Sequence, residues 1–325
     1  MKMMHKDIKI AVVIPSYKVI KHILGVINNI GNEVSVIYVV DDKCPESSGE
    51  YVQQHCTDPR VKVLFNDENQ GVGGAVIRGY LESLKDNVDI VVKLDGDGQM
   101  DPSLIGDFIN PILKEFADYT KGNRFYDVES LKPMPKIRLF GNTVLSFMTK
   151  FSSGYYNVFD PTNGYTAISS FALKKLNLDK LHKRYFFESD MLFRLNLINA
   201  KVVDVPMDAI YEDEESNLHI KKILFPFLKG HLKNTTKRII YNYYLRDFSV
   251  ASIELFCGIS LSMFGVLYGL IGWYKSLFFN ELASGGTVML SALPIILGMQ
   301  LLLGFIQADI ERQPKNSITE LFSKS

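Results

Sequence analysis

Cysteine is scarce in this chain: three in 325 residues, Cys44, Cys56 and Cys257, with no C-x-x-C spacing among them. That argues against a disulfide framework or a cysteine-built metal site and favours the reduced thiols of a cytosolic domain. An excess of either charge is also missing. The 36 basic residues balance 36 acidic ones to a formal net charge of zero, which disfavours a globally basic nucleic-acid binder. The opening Met1-Lys2-Met3-Met4-His5-Lys6 lacks the apolar segment and small-residue cleavage site of a signal peptide, so this end is expected to stay in the cytoplasm. No Walker loop and no G-x-S-x-G nucleophile elbow occurs. Gly71-Val72-Gly73-Gly74 fails as a dinucleotide fingerprint, because Val76 stands where the third glycine belongs. The acidic stretch from Asp95 fails as an EF-hand loop, with Met100 at the obligatory glycine and Gly106 at the bidentate glutamate.

From residue 8 to about 122 the pattern alternates short β-rich apolar runs with helical stretches. Ile8–Ile14, Val34–Val40, Val61–Phe65 and Val88–Leu94 read as strands, and Ile20–Asn29, Ser47–Gln54 and Gly73–Leu84 as helices. This is the βαβ signature of a mostly parallel α/β sheet covered on both faces. The fourth strand runs into Asp95-Gly96-Asp97-Gly98-Gln99. Two carboxylates one residue apart at a strand's carboxyl end place hard oxygen ligands where open α/β sheets bind their ligands. That chemistry suits Mg²⁺ or Mn²⁺ shared with a diphosphate.

The last third is different. Leu255 to Tyr274 and Gly286 to Ala308 carry no charge. At about 1.5 Å per residue each can cross a hydrocarbon core of roughly 30 Å. A pair of buried core helices is the alternative. The short Lys275–Gly285 connection implies an antiparallel hairpin, and a hairpin this small often associates with copies of itself, so homo-oligomerisation is an expectation. Before it, residues 219–247 read as basic amphipathic helices: Ile220, Ile223, Leu224, Phe227 and Leu228 share a face, and Leu232, Ile239, Ile240 and Tyr243 continue the stripe in a second segment. Lysines and arginines from Lys221 to Arg246, against Lys275 alone in the inter-helix loop, put the N-terminal domain and C-terminal tail on the cytoplasmic face by the positive-inside rule. An ordinary solvated helix pair is the alternative reading of this segment. The expected organisation is a catalytic domain over 1–218, juxtamembrane helices over 219–247, two membrane helices over 248–308 and a tail over 309–325.

Several pieces occur in order: Pro15-Ser16-Tyr17 after the first strand, Asp41-Asp42 after the second, Asn69-Gln70-Gly71-Val72-Gly73-Gly74 opening a helix, and Asp95-Gly-Asp97-Gly-Gln99. In this the sequence resembles the family 2 glycosyltransferases of the GT-A fold. Lys121-Gly-Asn-Arg124, Arg138-Leu-Phe-Gly-Asn142, Asp160-Pro-Thr-Asn163-Gly164-Tyr165, Tyr185-Phe-Phe-Glu188-Ser-Asp190 and Tyr211-Glu-Asp213-Glu214-Glu-Ser216-Asn217 narrow the resemblance to the polyprenyl-phosphate glycosyltransferases. The resemblance implies a nucleoside-diphosphate sugar donor contacted by Pro15, Tyr17, Asp42, Gly71 and Asp95. It implies a metal at Asp95, Asp97 and Gln99, and a polyprenyl phosphate acceptor held by Arg124, Arg138 and Asn142. Two arginines suit a phosphate through bidentate charge-assisted contacts. The alternative for them is ion pairing at the surface. Asp190 falls where many relatives keep a catalytic base. Val19 stands where many carry an acidic residue, and Asn142 where serine is frequent.

The reaction so implied is inverting transfer of one sugar to a lipid phosphate, with Asp97, Arg124, Arg138 and Asp190 as the catalytic set. A phosphate monoester is already anionic near neutral pH, its second pKa being about 6, so a strong base is not required. The implied protein is integral to the cell membrane. Two alternatives belong to other classes: a non-processive transferase acting on another lipid, a lipid-linked sugar or a protein, and a non-catalytic membrane scaffold of the same fold. The Q-x-x-R-W sequence of processive synthases is absent, since the single tryptophan is Trp273.

Overall fold

The computed structural model describes residues 8–126, 136–208 and 220–323. In order they form β1 (Ile10–Ser16), α1 (Ile23–Asn28), β2 (Val36–Asp41), α2 (Ser48–His55), β3 (Val61–Phe65), α3 (Val72–Lys85), β4 (Ile90–Lys93), α4 (Ile105–Leu113) and β5 (Tyr119–Asn123). There follow α5 (Lys136–Ser153), β6 (Thr166–Ser169), α6 (Ser170–Lys175), α7 (Phe187–Leu197), β7 (Val202–Pro206), α8 (Ile220–Ile240), α9 (Val250–Phe279), α10 (Gly285–Glu311) and α11 (Ile318–Ser323).

The seven strands make one sheet in the order β3-β2-β1-β4-β6-β5-β7. All pairings are parallel except those of β6, which runs antiparallel to both β4 and β5. Being antiparallel to both, β6 leaves β4 and β5 pointing the same way. The carboxyl ends of β1, β2, β4 and β5 therefore open on one edge of the sheet. Strands β1, β2 and β4 are buried almost throughout, which is why they read as continuous apolar runs. Alternation decides which core each side chain joins. Ala11 and Val13 pack on one face with Tyr38, Ala75 and Tyr80, while Ile10, Val12 and Ile14 pack on the other with Ile23, Ile37 and Phe108. Each expected strand and helix of the first half is present, with ends shifted by a few residues. Strands β5 to β7 were not foreseen.

The chain divides into two compact units, residues 1–236 with 314–325, and residues 237–313. In the first unit the tail returns to the amino end of β5. The buried Asp118 carboxylate accepts the Ile318 N–H at 2.8 Å, the Thr319 N–H at 3.1 Å, the Thr319 hydroxyl at 2.8 Å and the Lys201 N–H at 2.8 Å. In the second unit α9 and α10 pack antiparallel through small residues. A Cβ at Gly298 would lie 2.7 Å from the Ser262 nitrogen, and one at Gly265 2.6 Å from the Ser291 carbonyl oxygen. Arg238 and Asp309, both buried, pair at 2.6 and 2.7 Å, and the Tyr243 hydroxyl donates to Asp309 at 2.7 Å. The basic segment is one helix, α8, running on into a π-helical turn at Tyr241–Leu245, and not two separate helices. Helices α9 and α10 are long and apolar enough to cross a membrane.

Candidate active site

The strand ends bring the first group of sequence candidates together. Parallel pairing sets Ser16 beside Asp41 and Val13 beside Lys93, so the segments after β1, β2 and β4 share one crevice edge. Pro15 is half-buried within β1, and Tyr17 is exposed beyond it. Asp42 is buried and accepts the Gln70 N–H at 2.9 Å, the Gly71 N–H at 2.7 Å and the Asn66 side-chain amide at 2.9 Å. It shapes the 66–71 loop that opens α3. Gly71 is needed in that loop: its φ is +83°, and a Cβ there would approach the Lys183 carbonyl oxygen to 2.8 Å.

After β4 the backbone turns through Gly98 at φ +84°, and Asp97 accepts the Gln99 N–H at 3.0 Å. Asp95 lies against Lys93, whose Nζ is 2.8 Å from Asp95 Oδ1 and 3.6 Å from Glu188 Oε1. Lys93 is 2% exposed. Burial alone would lower its pKa, but the Asp95 and Glu188 carboxylates outweigh burial and hold it above the ordinary lysine value. The buried Asp95 Oδ1 is held by the Lys93 ammonium as an ion pair. A carboxylate at the end of β4, followed at two-residue steps by a second carboxylate and a side-chain amide, is a donor set that suits an oxygen-preferring divalent cation. Among the described residues no cluster of three or more His, Cys, Asp or Glu could hold a metal alone.

A second group meets the first through the loop from Asp160 to Gly164. At one end the Asp160 carboxylate, fully buried, takes the Arg124 guanidinium in a bidentate grip, Nε to Oδ2 at 2.7 Å and Nη2 to Oδ1 at 3.0 Å. In the middle the Asn163 carbonyl accepts from the buried Lys121 ammonium. At the other end Gly164 packs so closely that a Cβ would collide with Lys93 Nζ and come within 2.6 Å of Asp95 Oδ2. Burial pushes the Lys121 pKa down to about 8, with Glu188 and Asp160 pulling the other way. On neighbouring β7, burial lifts Asp204 to about 6.

Arg124 is thus ion-paired, but to an interior carboxylate and not at the surface. Asn142 is partly buried on α5. The side chain of Arg138 and the Tyr211–Asn217 motif lie outside the described residues. Asp190 accepts the His182 N–H at 3.0 Å, Arg194 Nε at 2.8 Å and Asn234 Nδ2 at 3.0 Å, joining α7 to α8. Lys93, Lys121, Glu188, Asp160 and Gly164 join these contacts although the sequence alone assigns none of them a role. One signal was available, since Lys93 is a charge set inside an otherwise apolar strand.

The model of the family described as Glycosyl transferase family 2 matches residues 11–177. The UDP-N-acetylglucosamine–dolichyl-phosphate N-acetylglucosaminyltransferase of Methanococcus voltae is 31% identical over 221 residues, 64% of this chain and 88% of that protein. The undecaprenyl-phosphate mannosyltransferase of Micrococcus luteus is 28% identical over 203 residues, 61% of this chain and 82% of that one. Among solved structures, glucosyl-3-phosphoglycerate synthase from Mycobacterium tuberculosis, in complex with Mn²⁺, UDP and glucosyl-3-phosphoglycerate, aligns with a TM-score of 0.54. At 16% identity over 71% of this chain and 79% of that one, it is a likeness of fold. The sheet with its paired carboxylates, the family match and the Methanococcus relative lead to one assignment: this chain belongs to glycosyltransferase family 2, with a GT-A domain ahead of two apolar helices.

Proposed function

We propose that the protein transfers one sugar, with inversion, from a nucleoside diphosphate to a polyprenyl phosphate at the cytoplasmic face of a membrane. The observation that carries this reading is the Asp160–Gly164 loop, which grips Arg124 at one end and abuts Asp95 at the other. In this reading a phosphate-binding cation and a cation-binding carboxylate both contact one short loop. The names of the Methanococcus and Micrococcus relatives, both acting on lipid phosphates, support the acceptor class.

In this reading Asp95, Asp97 and Gln99 would hold Mg²⁺ or Mn²⁺, which neutralises charge on the departing diphosphate. Pro15 and Tyr17 line the nucleotide, and Asp42 acts by fixing the 66–71 loop beside it. Arg124, oriented by Asp160, and Arg138 with Asn142 hold the acceptor phosphate in line with the anomeric carbon, supplying proximity. The acceptor oxygen is already anionic, so Asp190 serves by positioning α7 and no base is needed. A single displacement inverts the anomeric centre.

Membrane placement rests on α9 and α10 and on the basic stretch preceding them. Residues 314–325 fold with the first unit, which supports both ends of the hairpin lying on the same side as the catalytic domain. The test is direct. Purified full-length protein, polyprenyl phosphate, Mg²⁺ and a panel of nucleotide sugars should yield a monoglycosyl lipid phosphate. A folded protein giving no product with any common donor defeats the proposal. Product on a non-phosphorylated lipid instead would redirect it to another acceptor class.

A further inference from the structure

We propose that Lys93 keeps the donor site from holding a divalent cation until a nucleoside diphosphate arrives, so that cation and nucleotide bind and leave together. This rests on the glycosyl-transfer reading above and adds to it a role for a residue outside the acidic loop.

The geometry is specific. Lys93 ends β4, and its register against Thr166 of β6 fixes its backbone between two buried strands. Its ammonium reaches Asp95 Oδ1 at 2.8 Å and Glu188 Oε1 at 3.6 Å. Gly164 makes room, since a Cβ at that position would occupy the space of the ammonium. The other lysine buried nearby, Lys121, is turned to the Asn163 carbonyl, so among the described residues Lys93 is the cation in contact with Asp95.

The consequence is electrostatic. Asp95 is already matched by the buried Lys93 ammonium, and a second cation placed beside that ammonium is repelled. A dication arriving alone meets Asp97, the neutral Gln99 and a resident ammonium. A diphosphate supplies the missing negative charge and further oxygen ligands, the usual arrangement for Mg²⁺. Once the sugar has moved, a cation that the protein holds poorly by itself departs with the nucleotide. Lys93 is thus a positioning residue, acting through Asp95.

Calorimetric titration of Mn²⁺ into the full-length protein in detergent, with and without UDP or GDP, tests this. The wild type should bind Mn²⁺ at least about a hundred-fold more weakly without nucleotide than with it, as the diphosphate supplies most of the ligand charge. Lys93→Met should tighten nucleotide-free Mn²⁺ binding at least about ten-fold while slowing nucleotide release, because one repelling charge is gone. A purely structural lysine would weaken both on removal. Lys93→Met exposes Asp95 and Glu188 to uncompensated burial, so Lys93→Met/Glu188→Gln is the companion variant, with the same expected gain. Folded variants that bind Mn²⁺ no more tightly than wild type overturn the inference. A wild type that binds Mn²⁺ equally well without nucleotide overturns it too, whether or not the variants fold. A wild type that binds neither nucleotide in the presence of Mn²⁺ overturns the glycosyl-transfer reading itself.

Discussion

The two units of this chain solve opposite solvent problems. In the first, apolar side chains are hidden on both faces of a sheet, and the charges at its edge are held by other charges and by backbone amides: Asp42 by Gln70 and Gly71, Arg124 by Asp160, Asp190 by Arg194 and Asn234. In the second, Phe256, Phe264, Leu267, Trp273, Leu290, Ile296 and Leu303 face outward, while the contact between α9 and α10 is made by Gly258, Gly265, Ser291 and Gly298. Close backbone approach through small residues is how helices associate where lipid removes the hydrophobic drive. The second unit keeps a buried ion pair, Arg238–Asp309, at the end of the hairpin. Water-facing rules thus apply to one unit and are inverted in the other, within one continuous α8-to-α9 connection.

The comparison can be broken at both ends. The largest effect is expected from Asp97→Asn, which should lower lipid-phosphate glycosylation by about a thousand-fold or more, as loss of leaving-group stabilisation does. It should also weaken metal-dependent nucleotide binding, and undiminished turnover would remove Asp97 from the metal. Next is Arg238→Met, which strands a buried Asp309 carboxylate and should cost about 3–5 kcal/mol in thermal unfolding of the full-length protein. The double variant Arg238→Met/Asp309→Leu should recover most of that loss, because replacing both members of a buried pair is close to neutral. Gly298→Leu forces a side chain against the Ser262 nitrogen and the Gly258 carbonyl oxygen and should cost about 1–3 kcal/mol by overpacking, whereas outward Leu303→Ala should be nearly silent in detergent. The smallest effect is a pH dependence in the first unit. Burial depresses His231 to about 4, while its unfolded value stays near 6.5. Between those values the unfolded chain binds a proton that the folded one refuses, so stability falls as pH falls through that window. His231→Gln should flatten that slope in acid denaturation profiles by up to one proton.

Much of the first unit could be read from the chain because β1, β2 and β4 are buried on both faces and so advertise themselves as Ile/Val runs. The acidic loop was equally plain, since its carboxylates follow directly from one of those runs. Strand β5 was not, because Tyr-Thr-Lys-Gly-Asn is polar; it is buried only because Lys121 finds the Asn163 carbonyl and Thr120 the Phe108 carbonyl. Long-range pairing of this kind leaves no periodic trace. The same holds for Asp160 and Gly164, whose meaning depends on residues far off in sequence, and for Asp190, whose place in a family motif hides its three internal partners. Helix α8 runs from Ile220 to Ile240 without a break between Leu228 and Leu232, where a second segment is expected to begin, because Gly230 is accommodated inside it against the Phe186 ring.

The docking of residues 317–323 against Asp118 has a consequence for the order of biogenesis. Three of the four groups that satisfy that buried carboxylate come from a segment the ribosome makes only after both apolar helices. The amino end of β5 is therefore completed only by residues synthesised after both apolar helices. Folding of the first unit thus ends with the last part of the chain to be made, after the whole of the second unit.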